Sequence, residues 1–379
     1  MDDHKFPIPL FKPFFRVDEC LNLIKTTLDQ GWTGHGGLTE EFEHRWSQYV
    51  GRENTLMLNS ASAALHLAIQ TLKLTRGWED NSEIISTPLT FISTNHAIFW
   101  NNLNPVLIDV DDDLCMSPEA LIKNITAKTK AVIFVSMGGG IGQLSIIEEI
   151  CARNNLALII DAAHAAGSRE NGIHLGKKAD AVCYSFQAVK NLPTGDSGLL
   201  SMLLIEEHVL AKKLSWLGIS ESTFARTKSG TYKWDYEVEN IGFKYNANAV
   251  MGALAIVGLK YLDQDNDTRR ALVANYEELL FNTKNVEVVP QTNSRESSRH
   301  LFQIYTRDRI KLAEAMSKAQ IGFGVHYKTN CAYPMYKKFL ASTPNATKFS
   351  EGIVSLPLFI EMTFTQQEKI TSVLHEALN

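Results

Sequence analysis

The chain has 379 residues, of which 45% are hydrophobic and 21% are charged, and its formal net charge is −5. A soluble globular protein of this length can bury a large core and divide into a larger and a smaller domain. The acidic balance without a Lys/Arg run argues against nucleic acid as a partner, and no apolar run approaches the ~18 residues of a membrane span.

The cysteine pattern bears on compartment and on metal binding. The five cysteines are odd in number and widely spaced, with no C-x-x-C pair. This spacing argues against a disulfide framework and a zinc site, and it favours a reducing compartment. The first residues, MDDHKFPIPLFKPFF, begin acidic and are broken by prolines, so we expect no signal peptide. We therefore predict a cytoplasmic protein with no metal and no membrane contact.

The chain begins with a predicted arm and two helices. Residues 1–16 are rich in Pro and Phe and predict an extended arm, and the pattern of Val17–Gln30 predicts an amphipathic helix. After the helix Leu38–Val50, a short strand runs into Asn59–Ser62 and an Ala/Leu-rich helix. Small residues and hydroxyls at a helix N-terminus can cradle a phosphate, because free N–H groups and the helix dipole face the anion. An ordinary N-cap needs the same residues, so both interpretations stay open.

Two further strands follow. Asn81–Thr87 predicts a strand, and Phe91 lies in the turn before the helix Ile92–Trp100. An aromatic ring at a strand's carboxyl end can stack on a flat cofactor, although such rings also belong to protein cores. Pro105–Val110 predicts the next strand, which runs into the acidic cluster Asp109–Asp113. Neighbouring residues of an extended chain point to opposite faces, so this cluster predicts a solvated turn and no cation site.

The middle of the chain carries a glycine-rich turn. The strand Ala131–Met137 is followed by Gly138–Gly142 and the helix Ser145–Asn154. Such a turn between strand and helix, with the acidic Asp161 further on, imitates a dinucleotide-binding fingerprint and would make the protein an NAD-dependent enzyme. Against this alternative, the third glycine of G-x-G-x-x-G falls on Gln143, and the unit follows several other α/β units.

Two polar residues follow apolar strands in the next segment. Leu156–Gly167 begins as a continuous apolar run that ends at Asp161. A carboxylate at the carboxyl end of a parallel strand can keep a pyridine nitrogen protonated, or it can cap the next helix. Lys190 follows the apolar strand Ala181–Phe186. Desolvation there would lower its pKa and free a nucleophilic amine, as a Schiff-base lysine requires. The alternative is a lysine that only reaches out to solvent.

The remaining elements predict how the chain divides. Strands alternate with helices up to about residue 200, which predicts an α/β fold with a mainly parallel sheet between helices. Ala249–Asp263 and Arg269–Phe281 predict two helices, and Gly322–Tyr327 predicts a strand. We expect a large domain over residues 1–262 and a smaller α+β domain over residues 263–379.

Six segments occur in a characteristic order and spacing: SASAALHLA, PLTFISTNHAIF, IIDAAHAAG, YSFQAVKN, GFKYNANAVMGALAIVGLKYLD and SLPLF. Together they resemble the DegT/DnrJ/EryC1/StrS family of sugar aminotransferases, over nearly the whole chain. The resemblance implies the fold type I architecture, with a large domain on a mainly parallel mixed sheet and a smaller C-terminal domain. It also implies pyridoxal 5'-phosphate as the cofactor.

The resemblance gives roles to four residues around the cofactor ring. Lys190 would form the Schiff base and shuttle the proton during transfer. Asp161 would pair with the pyridinium nitrogen. His164 would reach the phenolic oxygen of the ring, and Phe91 would lie over its face.

Other implied roles concern the phosphate and the substrate. Ser62, the Ala63 N–H and Ser185 would hold the cofactor phosphate. Asn246 would contact the phosphate of the neighbouring subunit, which implies an obligate homodimer. His326 would touch the substrate.

The implied reaction moves an amino group, with L-glutamate as donor, to a keto carbon of a nucleotide-linked deoxysugar. The carbon is C-3 or C-4, and the product would serve amino-sugar and cell-surface polysaccharide biosynthesis, such as lipopolysaccharide O-antigen. Two alternatives remain open, namely an NAD-dependent enzyme and a regulatory protein that keeps the fold without turnover. The presence of both Lys190 and Asp161 argues against the regulatory protein.

Overall fold

A seven-stranded sheet lies at the centre of the computed structural model, which describes residues 7–220, 236–293, 295–339 and 342–378. In chain order the strands are β1 (Asn54–Leu58), β2 (Glu83–Ser86), β3 (Asn104–Leu107), β4 (Thr129–Val135), β5 (Ala157–Asp161), β6 (Arg169–Glu170), β7 (Ile173–His174), β8 (Ala181–Ser185), β9 (Gly198–Met202), β10 (Glu287–Val288), β11 (Phe302–Tyr305) and β12 (Ile353–Leu356). The α-helices are α1 (Val17–Asp29), α2 (Gly37–Val50), α3 (Ala61–Arg76), α4 (Ile92–Trp100), α5 (Pro118–Asn124), α6 (Leu144–Arg153), α7 (Ile205–Ser215), α8 (Ala249–Leu279), α9 (Arg309–Lys318), α10 (Pro344–Gly352) and α11 (Phe364–Leu378).

The strands of the central sheet follow the order β1-β9-β8-β5-β4-β2-β3. β9 runs antiparallel to both of its neighbours, and the other strands run parallel to one another. The predicted α/β architecture with a mainly parallel mixed sheet is therefore confirmed. Because β1, β4, β5 and β8 run in one direction, their carboxyl ends meet at one edge, where open α/β sheets bind their ligands.

Apolar side chains cover both faces of this sheet. Along β5, Leu158 and Ile160 face a cluster that includes Trp46 of α2, whereas Ile159 faces a second cluster built on α3. The alternation follows from the two-residue period of a strand. Since the strands are buried on both faces, they appear in the sequence as continuous apolar runs.

A smaller antiparallel sheet, β10-β11-β12, lies in the C-terminal part of the chain. α9, α11 and the C-terminal part of α8 enclose its core, where Tyr276 stacks on Phe302 with ring centroids 4.7 Å apart. These elements form the α+β pattern expected there. The division between residues 262 and 263 stays a prediction.

The long helix α8 corrects one prediction. The expected break at residues 264–268 is wrong, because α8 is continuous from Ala249 to Leu279. Asp265 accepts two hydrogen bonds of 2.6 Å from Arg16, at the end of the N-terminal arm. Arg169 donates to both oxygens of Asp263, at 3.1 and 3.0 Å. The polar stretch therefore marks contacts with distant segments and not the end of a helix.

Two other expected features differ from the structure. The segment Gly322–Tyr327 is not a strand, and within it Gly324 forms an isolated bridge with Ser355. The acidic cluster is not simply a solvated turn, because Asp109 accepts the backbone N–H of Asn345 at 3.0 Å, at the start of α10.

The N-terminal arm packs on the C-terminal unit, which consists of the sheet β10-β11-β12 and the helices around it. The Gly322 N–H donates to the carbonyl of Ile8 at 2.7 Å, and Lys12 forms an ion pair of 2.7 Å with Glu361. The first six residues of the expected arm lie outside the described residues. All five cysteines lie in the described ranges, and no disulfide joins any two of them. In the described ranges, no helix combines the length and the apolar character that crossing a bilayer requires.

Candidate active site

A cavity of about 420 Å³ opens at the carboxyl edge of the central sheet. Segments that follow β1, β5 and β8 form its floor, and the N-terminal arm and the C-terminal unit supply the rest of its wall. The structure brings these sequence-predicted residues together around it: Ser62, Phe91, Asp161, His164, Ser185, Lys190 and His326.

Lys190 lies in the turn after β8, which its own N–H closes by donating to the Gln187 carbonyl at 2.8 Å. The residue is half-buried. Desolvation lowers the pKa of its amine to about 8, against the opposing effect of the Asp161 charge. An amine with this pKa is partly neutral near physiological pH and can act as a nucleophile.

Asp161 ends β5 and is 5% exposed. The Thr94 hydroxyl donates to its Oδ2 at 2.7 Å, and the Ala163 N–H donates to its Oδ1 at 3.1 Å. Burial raises the pKa of this carboxyl, whereas the two donors and the Lys190 charge oppose that rise. The donors therefore favour the ionised form and fix its orientation.

Thr94, which α4 places beside Asp161, has no role predicted from the sequence. Its hydroxyl also lies 2.9 Å from the hydroxyl of Thr90, which can donate to it. The signal was present, since the two threonines flank Phe91 in the segment PLTFISTNHAIF. Their contact with a carboxylate on another strand is visible only in the fold.

The N-terminus of α3 faces the same cavity. Ser60 is its N-cap, and its Oγ accepts the Ala63 N–H at 3.1 Å. Ser62 and Ser185 line the cavity beside this helix end. The helix dipole and the two hydroxyls suit an anion at this position. The phosphate contacts of Ser62, Ala63 and Ser185 stay predictions.

His164 has a partner at each ring nitrogen. The Gly138 N–H donates to Nδ1 at 3.2 Å, so the proton of the neutral ring lies on Nε2 and is donated to the Tyr327 hydroxyl oxygen at 3.1 Å. Burial lowers the pKa of His164 well below its ordinary value, which keeps the ring neutral. The hydroxyl of Tyr327, a residue that the sequence analysis gave no role, is thereby left able to donate into the cavity.

The outer wall of the cavity is aromatic. Phe91 is 55% exposed, and its ring centroid lies 5.9 Å from that of Tyr327. Phe11 of the arm meets the ring of His326 edge-on, with centroids 5.8 Å apart. His326 Nδ1 lies 2.8 Å from Ser355 Oγ, and burial lowers the pKa of His326 to about 4.

Asn246 does not line this cavity. Lys244 donates to Asn246 Oδ1 at 3.0 Å, and the Lys244 amine lies 3.3 Å from the centroid of the Trp216 ring. Both residues, with Trp216 and Trp32, border a separate hollow. The expected contact of Asn246 with a phosphate therefore needs a second copy of the chain and stays a prediction.

The glycine-rich turn supports the wall of the cavity. Gly138–Gly142 is buried, and the Gly138 carbonyl accepts the His300 N–H at 3.0 Å. Gly139 has a φ of +95°, and a Cβ there would collide with Ser298 Oγ. A pyrophosphate has no room to approach a turn that is covered in this way, which argues against the NAD-dependent alternative.

The lining groups fit pyridoxal phosphate. An amine, a buried carboxylate, an exposed aromatic ring and hydroxyls at a helix N-terminus share one cavity. Lys190 would hold the cofactor, Asp161 would face its ring nitrogen, Phe91 would cover the ring, and Ser62 with Ser185 would hold the phosphate. When bound, the cofactor supplies an electron sink for carbanion chemistry.

Comparisons with known proteins identify the family and the fold. Residues 16–375 match the model of the DegT/DnrJ/EryC1/StrS aminotransferase family. A putative sugar aminotransferase from Streptococcus pneumoniae, Spr1654 in its PMP form, is similar in structure, with a TM-score of 0.89, 26% identity and coverage of 98% of each chain. The Helicobacter pylori aminotransferase PseC, involved in pseudoaminic acid biosynthesis, has a TM-score of 0.89 and 23% identity, with 98% of this chain and 99% of PseC covered. The sugar aminotransferase CalS13 from Micromonospora echinospora has a TM-score of 0.87 and 24% identity, with 97% and 99% covered. The expected fold class is confirmed.

Replacement of Thr94 tests the role of its hydroxyl. Thr94→Val removes a donor that favours ionised Asp161, so the pKa of Asp161 rises. When the pH is lowered, the variant should therefore lose activity at a higher pH than the wild type does. A hydrogen bond to a charged group contributes about 1.5–3 kcal/mol, so the acid limb should move up by about one pH unit or more. The measurement is the pH dependence of the rate at which an amino donor bleaches the visible absorbance of the bound cofactor. Thr94→Ser keeps the hydroxyl and should retain the wild-type profile, and a common profile for the two variants would contradict this role.

Proposed function

The chain belongs to the DegT/DnrJ/EryC1/StrS aminotransferase family, and we propose that it transfers an amino group from L-glutamate to a keto carbon of a nucleotide-linked deoxysugar. The enzyme uses pyridoxal phosphate. The acceptor carbon is C-3 or C-4, and the product enters amino-sugar and cell-surface polysaccharide biosynthesis, such as that of lipopolysaccharide O-antigen. The names of the similar sugar aminotransferases support a sugar as substrate.

The observation that carries the proposal is that Lys190 and Asp161 line one cavity, the first as a half-buried amine and the second as a buried carboxyl group that two donors hold in place. Burial lowers the pKa of Lys190 to about 8, so its amine can take a proton from the Cα of the donor and return it later. Asp161 presents a carboxylate that the Thr94 hydroxyl and the Ala163 N–H hold in place. A fixed negative charge here stabilises positive charge on the ring nitrogen.

The acceptor is proposed to enter past the aromatic wall. The Tyr327 ring lies near the rings of Phe91 and His326, and all three line the cavity. Since burial lowers the pKa of His326 to about 4, it is neutral at physiological pH and can exchange hydrogen bonds with a sugar hydroxyl. We therefore assign His326 to the substrate.

The assembly and compartment are part of the proposal. A homodimer would bring Asn246 to the partner's cofactor phosphate, which accounts for its position outside the Lys190 cavity. The cytoplasm fits the lack of disulfides among the five described cysteines, because disulfides are rare in a reducing compartment. Neither nucleic acid nor a membrane is a proposed partner.

The experiment that tests the function is a panel of nucleotide-linked 3-keto and 4-keto deoxysugars, incubated with the enzyme and L-glutamate. The expected result is an amino sugar and 2-oxoglutarate in equal amounts, detected by mass spectrometry, with Lys190→Ala as the inactive control. Bound cofactor without turnover on any acceptor or donor would instead favour the regulatory homologue.

Mixed dimers test the proposed role of Asn246. If Asn246 acts on the partner's site, a dimer of one Lys190→Ala chain and one Asn246→Ala chain keeps one intact site. Random reassociation of equal amounts makes half of the dimers mixed, and each mixed dimer has one intact site out of two. About a quarter of wild-type activity should therefore return. A mixture of Lys190→Ala and Asp161→Asn is the matched control, since both changes affect the same cavity and no intact site can form. Recovery no greater than in this control would show that Asn246 does not act across the interface.

A further inference from the structure

A buried network of polar groups connects the carbonyl of Ala166 with the amine of Lys190. Its side chains, Asn266 of α8, Asn191 and His300, are 1%, 7% and 1% exposed. The proposed function gives none of them a role. Buried polar groups need partners of fixed geometry, so a network of this kind restricts which atom carries each proton.

Two backbone carbonyls fix the direction of the hydrogen bonds that join these three side chains. Asn266 donates through Nδ2 to the carbonyl of Ala166 at 2.9 Å, so its Oδ1 faces the next residue. Asn191 donates through Nδ2 to Asn266 Oδ1 at 2.8 Å and to the carbonyl of Ser298 at 2.7 Å. A flipped Asn191 amide would set its oxygen against two other oxygens, so this orientation is the one that the surroundings allow.

The remaining oxygen of Asn191 selects the tautomer of His300. Asn191 Oδ1 lies 2.9 Å from His300 Nδ1 and can only accept, so Nδ1 carries the proton. In a neutral ring, Nε2 then has a free lone pair, and this atom lies 3.5 Å from the Lys190 amine. We propose that His300 is a positioning residue that accepts a hydrogen from Lys190 and so holds the reacting amine in the cavity.

The surroundings keep His300 uncharged. Phe11 of the arm stacks on one face of the ring at 5.6 Å with an interplanar angle of 2°, and the His164 ring lies 4.5 Å away. Burial lowers the pKa of His300 well below its ordinary value. The charged or titratable groups that face it lower its pKa further: Lys190, His164, Arg269 and His326. The charge of Asp161 acts on Lys190 and raises the pKa of its amine.

This role rests on the proposed function only in that Lys190 is the reacting amine. An amine on a flexible four-carbon stem has many rotamers, and one well-placed acceptor reduces them. The acceptor also favours the ammonium form, because a hydrogen bond to the charged form raises the pKa of a base. Loss of the acceptor therefore lowers the pKa of Lys190.

Two substitutions at His300 separate the acceptor from the rest of the ring. His300→Gln places an amide oxygen near the position of Nε2, whereas His300→Asn reaches only the position of Nδ1. We would measure the pH dependence of Lys190 acetylation by acetic anhydride in the full-length chain freed of cofactor, using mass spectrometry. The wild type should titrate at a pKa of about 8. His300→Asn should titrate about one unit lower, a tenfold change in the ratio of ammonium to amine, and His300→Gln should titrate close to the wild type. Equal titration in the two variants would overturn the proposal.

His300→Phe supplies a second test, which also serves if His300→Asn fails to fold by circular dichroism. A phenyl ring can keep the stack with Phe11 but has no lone pair, so Lys190 loses its acceptor. The pKa of Lys190 should then fall by about one unit, as in His300→Asn, and an unchanged value would overturn the proposal. Because acetylation needs neither cofactor nor sugar, these results are separate from the turnover assay of the wild type that tests the proposed function.

Discussion

The structure depends on holding an amine and a carboxyl group in one cavity where the surrounding residues shield both from solvent. Burial disfavours the charged form of each, which lowers the pKa of Lys190 and raises that of Asp161, and each charge partly offsets the cost of burying the other. Asp161 receives two further hydrogen bonds, which oppose the rise of its pKa and fix the orientation of the carboxyl group. The amine beside it loses its proton more easily than an exposed lysine does, as a nucleophile or a general base requires.

The fold explains how residues far apart in sequence reach this cavity. Parallel strands bring their carboxyl ends to one edge, so that Asp161 after β5 and Lys190 after β8 become neighbours. The antiparallel strand β9 lets β1 join the same sheet in the same direction, which places the N-terminus of α3 beside them. The arm and the C-terminal unit then enclose the site with Phe11 and His326.

Much of this could be predicted from the sequence, because apolar strands and the polar residues that follow them form local patterns. The apolar strands, the residues at their carboxyl ends and the ordered motifs gave the fold class, the family and the cofactor, which are confirmed. The roles of individual site residues stay predictions. Contacts between distant segments could not be predicted from the sequence. The polar stretch around Asp265 predicts a gap between two helices, whereas Asp265 lies inside α8 and pairs with Arg16. No local pattern marks His300 either, and its contact with Asn191, 109 residues away in the sequence, is visible only in the fold.

The central claim is that Lys190 is the lysine that holds the cofactor, and one comparison tests it most directly. Purified wild type and Lys190→Ala are reconstituted with pyridoxal phosphate, reduced with borohydride and digested, and the visible spectrum and the peptide masses are recorded. The account predicts a yellow wild-type protein in which reduction attaches the cofactor to the peptide that contains Lys190. It also predicts a variant in which no lysine retains it. Attachment to a different lysine, or a wild type that takes up no cofactor, would contradict the account.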